Sequence, residues 1–143
     1  MTRAGAQFKV EQVWSNQNLA NHHGGVVLLG NHVYGYGDRQ GWTCQDFTSG
    51  ETVWAERQKL RSGALTYADG RFYCYSENDG AVALIEASTA GWKESGRFTI
   101  PEQSTSRKSA GKIWTPPVVA GGRLFLRDQE LLFCYEVAAF PKR

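Results

Sequence analysis

The sequence predicts an all-β chain built from a repeated four-stranded unit, and three observations support this prediction. Short apolar runs alternate with turns rich in Gly, Asn and Asp, and the 143 residues include 16 Gly and 13% aromatic residues. No stretch shows the spacing of an amphipathic helix. The order of strands and turns recurs at a period of about 40 residues. Four strands per unit at this period are typical of β-propeller blades, which we favour over a sandwich because a sandwich does not repeat such a unit in phase.

Two complete units are predicted, the first in residues 24–57 and the second in residues 63–100. The first reads GGVVLLG, HVYGYG, WTCQDF and TVWAER, and the second reads GALTYA, FYCYS, AVALIEA and WKESGRFTI. Turns containing Gly, Asn or Asp separate these runs and supply the residues that tolerate positive φ. Tyr34 and Tyr73 each follow the first turn of their unit and are 39 residues apart, which sets the period.

A third unit, in residues 115–137, has three strands and no fourth. It reads PPVVAG, LFLRD and LLFCYEV, with Phe125 in the place of Tyr73 but 52 residues beyond it. The excess comes from residues 101–114, a polar loop rich in Ser and Lys. We interpret this loop as a solvated insertion, with a partner-docking or mobile segment as the alternative.

The missing strand has a candidate at the other end of the chain, in residues 8–16. There Glu11-Gln12-Val13-Trp14 matches Glu51-Thr52-Val53-Trp54 in acid, spacing and Trp. Three blades would curve too tightly, since propellers take roughly 4 to 8 blades. We therefore expect residues 1–143 to form a half-propeller that closes as a six-bladed homodimer, residues 8–16 of one chain completing the partner's third blade. A fragment of a longer propeller is the alternative.

Composition and charge argue against several function classes. With 16 Lys+Arg against 14 Asp+Glu and no basic stripe, the chain is not expected to bind nucleic acid. The three cysteines form no CxxC pair, so neither a zinc-ligand spacing nor a redox dithiol is present. We expect no membrane span and no signal peptide, because no apolar run has the required length.

One stretch of the first unit carries a recognisable motif, Cys44-x-Asp46-x-x-Ser49-Gly50-x-x-x-Trp54. It resembles the tryptophan-docking motif of quinoprotein-type propellers, A-x-D-x-x-T/S-G-x-x-x-W. Glycine permits the tight turn, and the terminal Trp buries a large ring against the next blade, which is a structural rather than a catalytic role.

The motif is degraded in the second unit and divided in the third. The second unit has Glu86 and Gly91, with a turn one residue longer and Phe98 on the outer strand instead of Trp. In the third, Cys134 and Glu136 begin the motif, and Trp14 from the N-terminal segment could complete it.

Residues 8–137 as a whole resemble the C-terminal part of bacterial proteins with pyrroloquinoline-quinone-like propeller repeats. The segments NLANHHGGVVLLGNHVYGYGDRQGWTCQDFTSGETVW, YADGRFY and PPVVAGGRLFLRDQELLFCYEV carry the resemblance. It implies the propeller fold first and a scaffolding role second, and for full-length relatives it implies the bacterial periplasm or cell envelope.

The resemblance also implies an alternative function, a quinone-dependent alcohol dehydrogenase or a fragment of one. In those enzymes the quinone lies in the channel beside a calcium ion, often with a disulfide of adjacent cysteines. This sequence has no adjacent cysteines, and no residue matches the calcium ligands. We therefore expect no cofactor and no metal, and we favour a non-catalytic binding module.

Ligand-binding side chains are expected on one face, where the loops between blades and the turns between the two middle strands surround the channel mouth. A polar or anionic small ligand or a protein partner would suit the candidates, which are His22, His23, Asp38, Arg39, Trp42, Arg61, Glu77, Asp79, Trp114, Arg127 and Asp128. The simpler interpretations are turn caps for the three Asp, metal-free loop residues for the two His, surface ion pairs for Arg39 and Arg127, and core positions for the cysteines.

Overall fold

The structure, a computed structural model, describes residues 2–4 and 7–138 and contains thirteen strands and no helix in those ranges. Membrane-spanning helices are accordingly not found in the part of the chain that is described. The strands are β1 (Thr2–Ala4), β2 (Gln7–Lys9), β3 (Val26–Leu29), β4 (His32–Gly37), β5 (Gly41–Asp46), β6 (Thr52–Glu56), β7 (Gly63–Ala68), β8 (Arg71–Ser76), β9 (Ala81–Glu86), β10 (Glu94–Thr99), β11 (Val118–Ala120), β12 (Arg123–Asp128) and β13 (Leu131–Glu136).

Three antiparallel sheets follow one another along the chain. The first sheet is β3 to β6, the second is β7 to β10 and the third is β11 to β13, each with its strands paired in sequence order. Strands β1 and β2 form a separate hairpin. The all-β prediction is confirmed, and this succession of four-, four- and three-stranded sheets is consistent with the blades of a propeller.

The same strand register recurs in all three sheets. Tyr34 lies opposite Cys44, and the equivalent pairs are Tyr73 with Leu84 and Phe125 with Cys134. In each sheet a 2.9 Å backbone hydrogen bond joins the turn after the third strand to the turn after the first. The bonds run from Phe47 N to Asn31 O, from Ala87 N to Gly70 O and from Val137 N to Gly122 O. These contacts make Phe47, Ala87 and Val137 equivalent positions.

Between the first and second sheets lies one hydrophobic core. Trp42 is 2% exposed there, and its indole Nε1 donates a 3.0 Å hydrogen bond to the carbonyl oxygen of Leu60, in the loop that joins the two sheets. Cys44 and Cys74 are fully buried in the same core. Burial raises the pKa of both thiols, so they pack as neutral apolar side chains.

A second core lies between the second and third sheets, formed by Tyr75, Val82, Ile100, Ile113, Leu124 and Leu126. On one side of both cores the first strands of the sheets meet, because β3 contacts β7 and β7 contacts β11. This arrangement is consistent with the inner strands of neighbouring propeller blades.

The N-terminal segment differs from its predicted form. The expected outer strand in residues 8–16 is present only as far as Lys9, where β2 pairs with β1, and residues 10–16 form no strand. Among the described residues, β13 pairs with β12 alone, so its outer edge is open.

The insertion in residues 101–114 is more firmly held than the solvated-loop interpretation implies. It contains no strand, but Ser104 and Ile113 are only 8% and 4% exposed. The backbone amide of Ile113 donates a 2.8 Å hydrogen bond to the carbonyl of Glu77, so the end of the loop is joined to the second sheet.

Replacing Trp42 with Ala should destabilise the fold by about 3–5 kcal/mol, because a large ring leaves a packed core and Leu60 loses its hydrogen bond. Urea denaturation of the variant and the parent measures this difference. Trp114→Ala is the matched control: that ring is 53% exposed, so its loss should change stability by less than about 0.5 kcal/mol. Equal effects of the two substitutions would contradict the assigned core.

Candidate functional site

The loops between sheets and the turns between middle strands lie along one edge of the assembly, and backbone hydrogen bonds hold them together. Asp38 N donates to Ala20 O at 3.1 Å in the first sheet, and Glu77 N donates to Ser62 O at 2.8 Å at the same place in the second. Side chains reinforce the second contact, since Ser62 Oγ donates to Glu77 Oε1 at 2.7 Å. This edge is therefore an ordered surface made from separate parts of the sequence.

An aromatic cluster formed by His22, His23 and Trp114 lies on this edge. The centroids of the two histidine rings are 4.0 Å apart, and that of His23 is 4.8 Å from that of Trp114. All three side chains are exposed. Three of the predicted site residues, from loops about 90 positions apart in the chain, thus form one surface on which a planar ligand can stack.

The crease beside this cluster is too small to hold a ligand. It encloses about 10 Å³, at the limit of what one water molecule requires. Among its lining residues are His22, His23, Asp38, Ser62 and Glu77. A separate hollow of about 380 Å³ has Trp114 in its wall, together with residues of the insertion that include Arg107, Lys108 and Lys112. A ligand at this edge therefore has more room beside Trp114 than in the crease.

Trp42, which the sequence placed among the candidates, does not belong to this edge. Its ring is in the core between the first and second sheets, as its 2% exposure and its bond to Leu60 show. The residue follows a turn, but the pleat of β5 directs it inward. It is a core residue.

Asp128 is also unavailable to a ligand, because it anchors the insertion. Its carboxylate is fully buried and accepts hydrogen bonds through Oδ2, from Ser104 N at 2.9 Å and from Arg107 Nη2 at 3.2 Å. The other oxygen, Oδ1, has no hydrogen-bond partner within residues 2–4 and 7–138. A buried carboxylate of this kind depends on its cation, since loss of one partner leaves an uncompensated charge.

Asp79 is a turn cap, as the simpler interpretation holds. Burial raises its pKa, but bonds from the Ser76 hydroxyl and from Ala81 N, 3.2 Å from Oδ1, outweigh burial and lower the pKa. The positive charge of Arg61 acts in the same direction. The stabilisation from this carboxylate is therefore complete above its ordinary pKa and is lost as the pH falls through the lowered value.

The remaining predicted rim residues are two exposed arginines, Arg39 and Arg127. Arg127 does not pair with its neighbour Asp128: its Nε donates to Gln129 O at 2.7 Å, and its carbonyl accepts a 2.6 Å bond from Thr115 Oγ1. Across the described ranges, no three His, Cys, Asp or Glu side chains form a group that could hold a metal ion.

The stretch from Cys44 to Trp54 forms a tight turn between β5 and β6. Asp46 Oδ1 accepts hydrogen bonds from Ser49 N at 2.7 Å and from Thr48 N at 2.8 Å. These bonds lower the pKa of Asp46, and the bond from Ser49 has the larger effect. Gly50 has a φ of 75°, which favours glycine. Trp54 Nε1 donates a 3.0 Å bond to Ser88 O in the second sheet.

Trp14 makes a similar contact in the turn after β5. Its Nε1 donates a 2.9 Å hydrogen bond to Phe47 O, whereas the register equivalent of Ser88, the acceptor for Trp54, is Thr48. A Cβ on Gly50 would lie 2.9 Å from the Trp14 ring, so this glycine is needed for the close approach as well as for its backbone angle. Glu136, the acid of the third unit, lies 3.8 Å from Arg123 Nε across strands β12 and β13.

The register corrects one assignment in the second unit and reveals a site that the sequence did not indicate. Trp54 lies opposite Cys44, and the residue opposite the equivalent Leu84 is Gly96, not Phe98. Beside Gly96 a slot of about 380 Å³ opens between the second and third sheets. A bulge between Glu94 and Gly96 shifts the strand. Gly96 itself was the available sequence signal, because a glycine inside a strand often marks a bulge.

A comparison of the chain with protein-family models found no match, and a comparison with curated proteins found none either. Function must therefore be argued from the geometry above.

Replacing Arg107 with Ala should destabilise the protein by about 3–5 kcal/mol, because Asp128 would remain buried without its cation. Urea denaturation measures the loss. Lys108→Ala, an exposed change in the same loop, serves as the control and should alter stability by less than about 0.5 kcal/mol. A neutral result for Arg107→Ala would contradict the anchoring role of the pair.

Proposed function

We propose that this chain is a non-catalytic propeller module that closes its ring with a second copy and binds a ligand or protein on the loop edge. One observation carries the assembly: Trp14 donates its indole N–H to a carbonyl in the turn after β5, as Trp54 donates its own to a carbonyl in the turn after β9. Trp54 belongs to β6, the outer strand of the sheet that precedes the second sheet. By analogy, Trp14 lies where the outer strand of a sheet preceding the first one would be.

Neighbouring contacts support this placement of the N-terminal segment. Asn16 Nδ2 donates to Gly50 O at 2.8 Å, and Asn18 Nδ2 donates to the same oxygen at 3.1 Å. Leu19 then packs beside Gly35 on the face of the first sheet, as Leu60 packs between the first and second sheets. Residues 14–19 thus follow the course of a connection that enters the first sheet from an earlier one.

The third sheet has the complementary deficiency. Within the described part of the chain it has no outer strand, and its free face exposes residues whose equivalents elsewhere are buried. Leu132 is 68% exposed, whereas Trp42, at the same register position of the first sheet, is 2% exposed. Cys134 is likewise exposed where Cys44 is buried. An open strand edge and an uncovered apolar face both favour addition of another sheet.

A second copy supplies what is lacking at each end. Its N-terminal segment would pair with β13 after release of the β1–β2 hairpin, and its first sheet would cover the free face of the third. Two chains of three sheets give six, within the roughly 4 to 8 blades that propellers use. The interface is twofold and self-complementary, which is the commonest form of protein dimer.

Binding at the loop edge is supported by the exposed cluster of His22, His23 and Trp114. In a twofold ring the cluster would occur twice around the channel mouth. Exposed aromatic rings fixed by ordered loops are common recognition elements because they bring large contact area at little entropic cost.

The assembly predicts a mass of twice 15.9 kDa, or 31.8 kDa, by light scattering of the full chain. The reason is that a monomer leaves the edge of β13 and the face of the third sheet exposed. A folded monomer that persists at all accessible concentrations would contradict strand exchange.

Trp14→Ala should weaken the dimer by about tenfold or more, corresponding to about 1.4 kcal/mol, because the N-terminal segment would lose its anchor on the first sheet. Sedimentation across a concentration series measures the change. Trp14→Phe keeps the ring but lacks the N–H donor, and we expect an intermediate effect. An unchanged dissociation constant for both variants would show that the segment is not part of the interface.

A further inference from the structure

The slot between the second and third sheets has the walls of an aromatic binding site. It measures about 380 Å³, and its apolar lining comes from Tyr73, Val82, Leu84, Phe98, Tyr135 and Val137. The Phe98 and Tyr135 rings have their centroids 4.8 Å apart across the two sheets. Volumes of roughly 300–1,000 Å³ with mostly apolar walls are typical of small-molecule sites.

The equivalent space between the first and second sheets is occupied by the indole of Trp54. That ring lies beside Tyr34, with centroids 6.2 Å apart, and its N–H is bonded to Ser88 O. Tyr34 is the register equivalent of Tyr73, which lines the slot. The two spaces are therefore corresponding parts of two successive interfaces.

The slot exists because glycine stands where the tryptophan would be. Gly96 occupies the register position of Trp54, and a Cβ built on it would meet no heavy atom within 4 Å. The second sheet thus lacks an indole that its neighbour has, and the surrounding residues leave the space open.

Polar groups for a heteroaromatic ring are also present. Val137 is the equivalent of Phe47, whose carbonyl accepts the indole N–H of Trp14. The hydroxyl of Tyr135 is buried and lacks a hydrogen-bond partner among the residues described, and such a group gains by pairing. Two charged residues line the slot, and each has a partner of opposite charge: Arg97 is paired with Glu94 at 2.8 Å, and Glu136 lies 3.8 Å from Arg123.

We propose that this slot binds a free planar aromatic molecule of indole size, whose N–H donates to the carbonyl of Val137. The walls provide ring-to-ring packing, and the paired charges at the rim favour a neutral ligand over an ionic one. This site is separate from the loop edge, and it requires only the second and third sheets of one chain.

The test is a titration of the isotope-labelled full chain with free indole, followed by amide chemical shifts. We expect saturable shifts at Gly96, Phe98, Tyr135 and Val137, with a Kd of about 1 mM or lower. Gly96→Trp should place the chain's own indole in the slot. It should raise the melting temperature without ligand and weaken indole binding by about tenfold or more.

Thr99→Trp is the matched control, because it adds an indole to the same strand at an exposed position that does not line the slot. This variant should bind indole like the parent. Absence of saturable shifts in the parent, shifts confined to the Trp14 or Trp114 surfaces, or undiminished binding by a folded Gly96→Trp variant would overturn the proposal. If Gly96→Trp fails to fold, the shift map of the parent decides alone. The molecular mass of the same samples tests the dimeric propeller separately. Either proposal can therefore fail while the other stands.

Discussion

The structure depends on the burial of sheet faces against neighbouring sheets. A sheet that is apolar on both faces needs a partner on each side, and here the second sheet alone has both. Its cores with the first and third sheets account for most of the fully buried side chains, including Trp42, Phe72 and Leu126. The unmet requirement at the third sheet, where Leu132 is exposed, is the physical reason to expect a further sheet from another chain. The N-terminal segment lies at the opposite end of the same series, against the first sheet.

Tryptophan docking couples this stacking to the turns. Trp54 joins the first sheet to the second, and Trp14 makes a similar bond to the first sheet from outside the three sheets. At the next interface Gly96 interrupts the series and leaves a slot in place of a ring. One contact therefore explains how sheets are held at a fixed spacing, where another chain would attach, and where space for a ligand remains. For Trp14 and Trp54 the energetic basis is the packing of a large ring whose N–H donates to a backbone carbonyl.

Most polar residues along the loop edge make structural contacts that limit their availability for binding. Asp128 holds the insertion through Arg107 and Ser104, Asp79 caps a turn, and Glu77 bonds the neighbouring loop. Once these are set aside, the exposed rings of His22, His23 and Trp114 are the groups best able to meet a partner. Stacked and exposed rings of this kind offer a large contact area to a planar group.

The all-β class and the division into sheets of four, four and three described strands could be predicted from the sequence, because alternating apolar residues and turn glycines are local signals. The spacing of Asp46, Gly50 and Trp54 could likewise be read along one hairpin. The burial of Trp42 and Asp128, the contact of Trp114 with His23, and the equivalence of Gly96 rather than Phe98 to Trp54 could be seen only in the folded structure. The reason is that these facts depend on which way each pleat faces and on a bulge in β10. A shift of one residue in strand register exchanges the two faces of a sheet, and neither composition nor period records that shift.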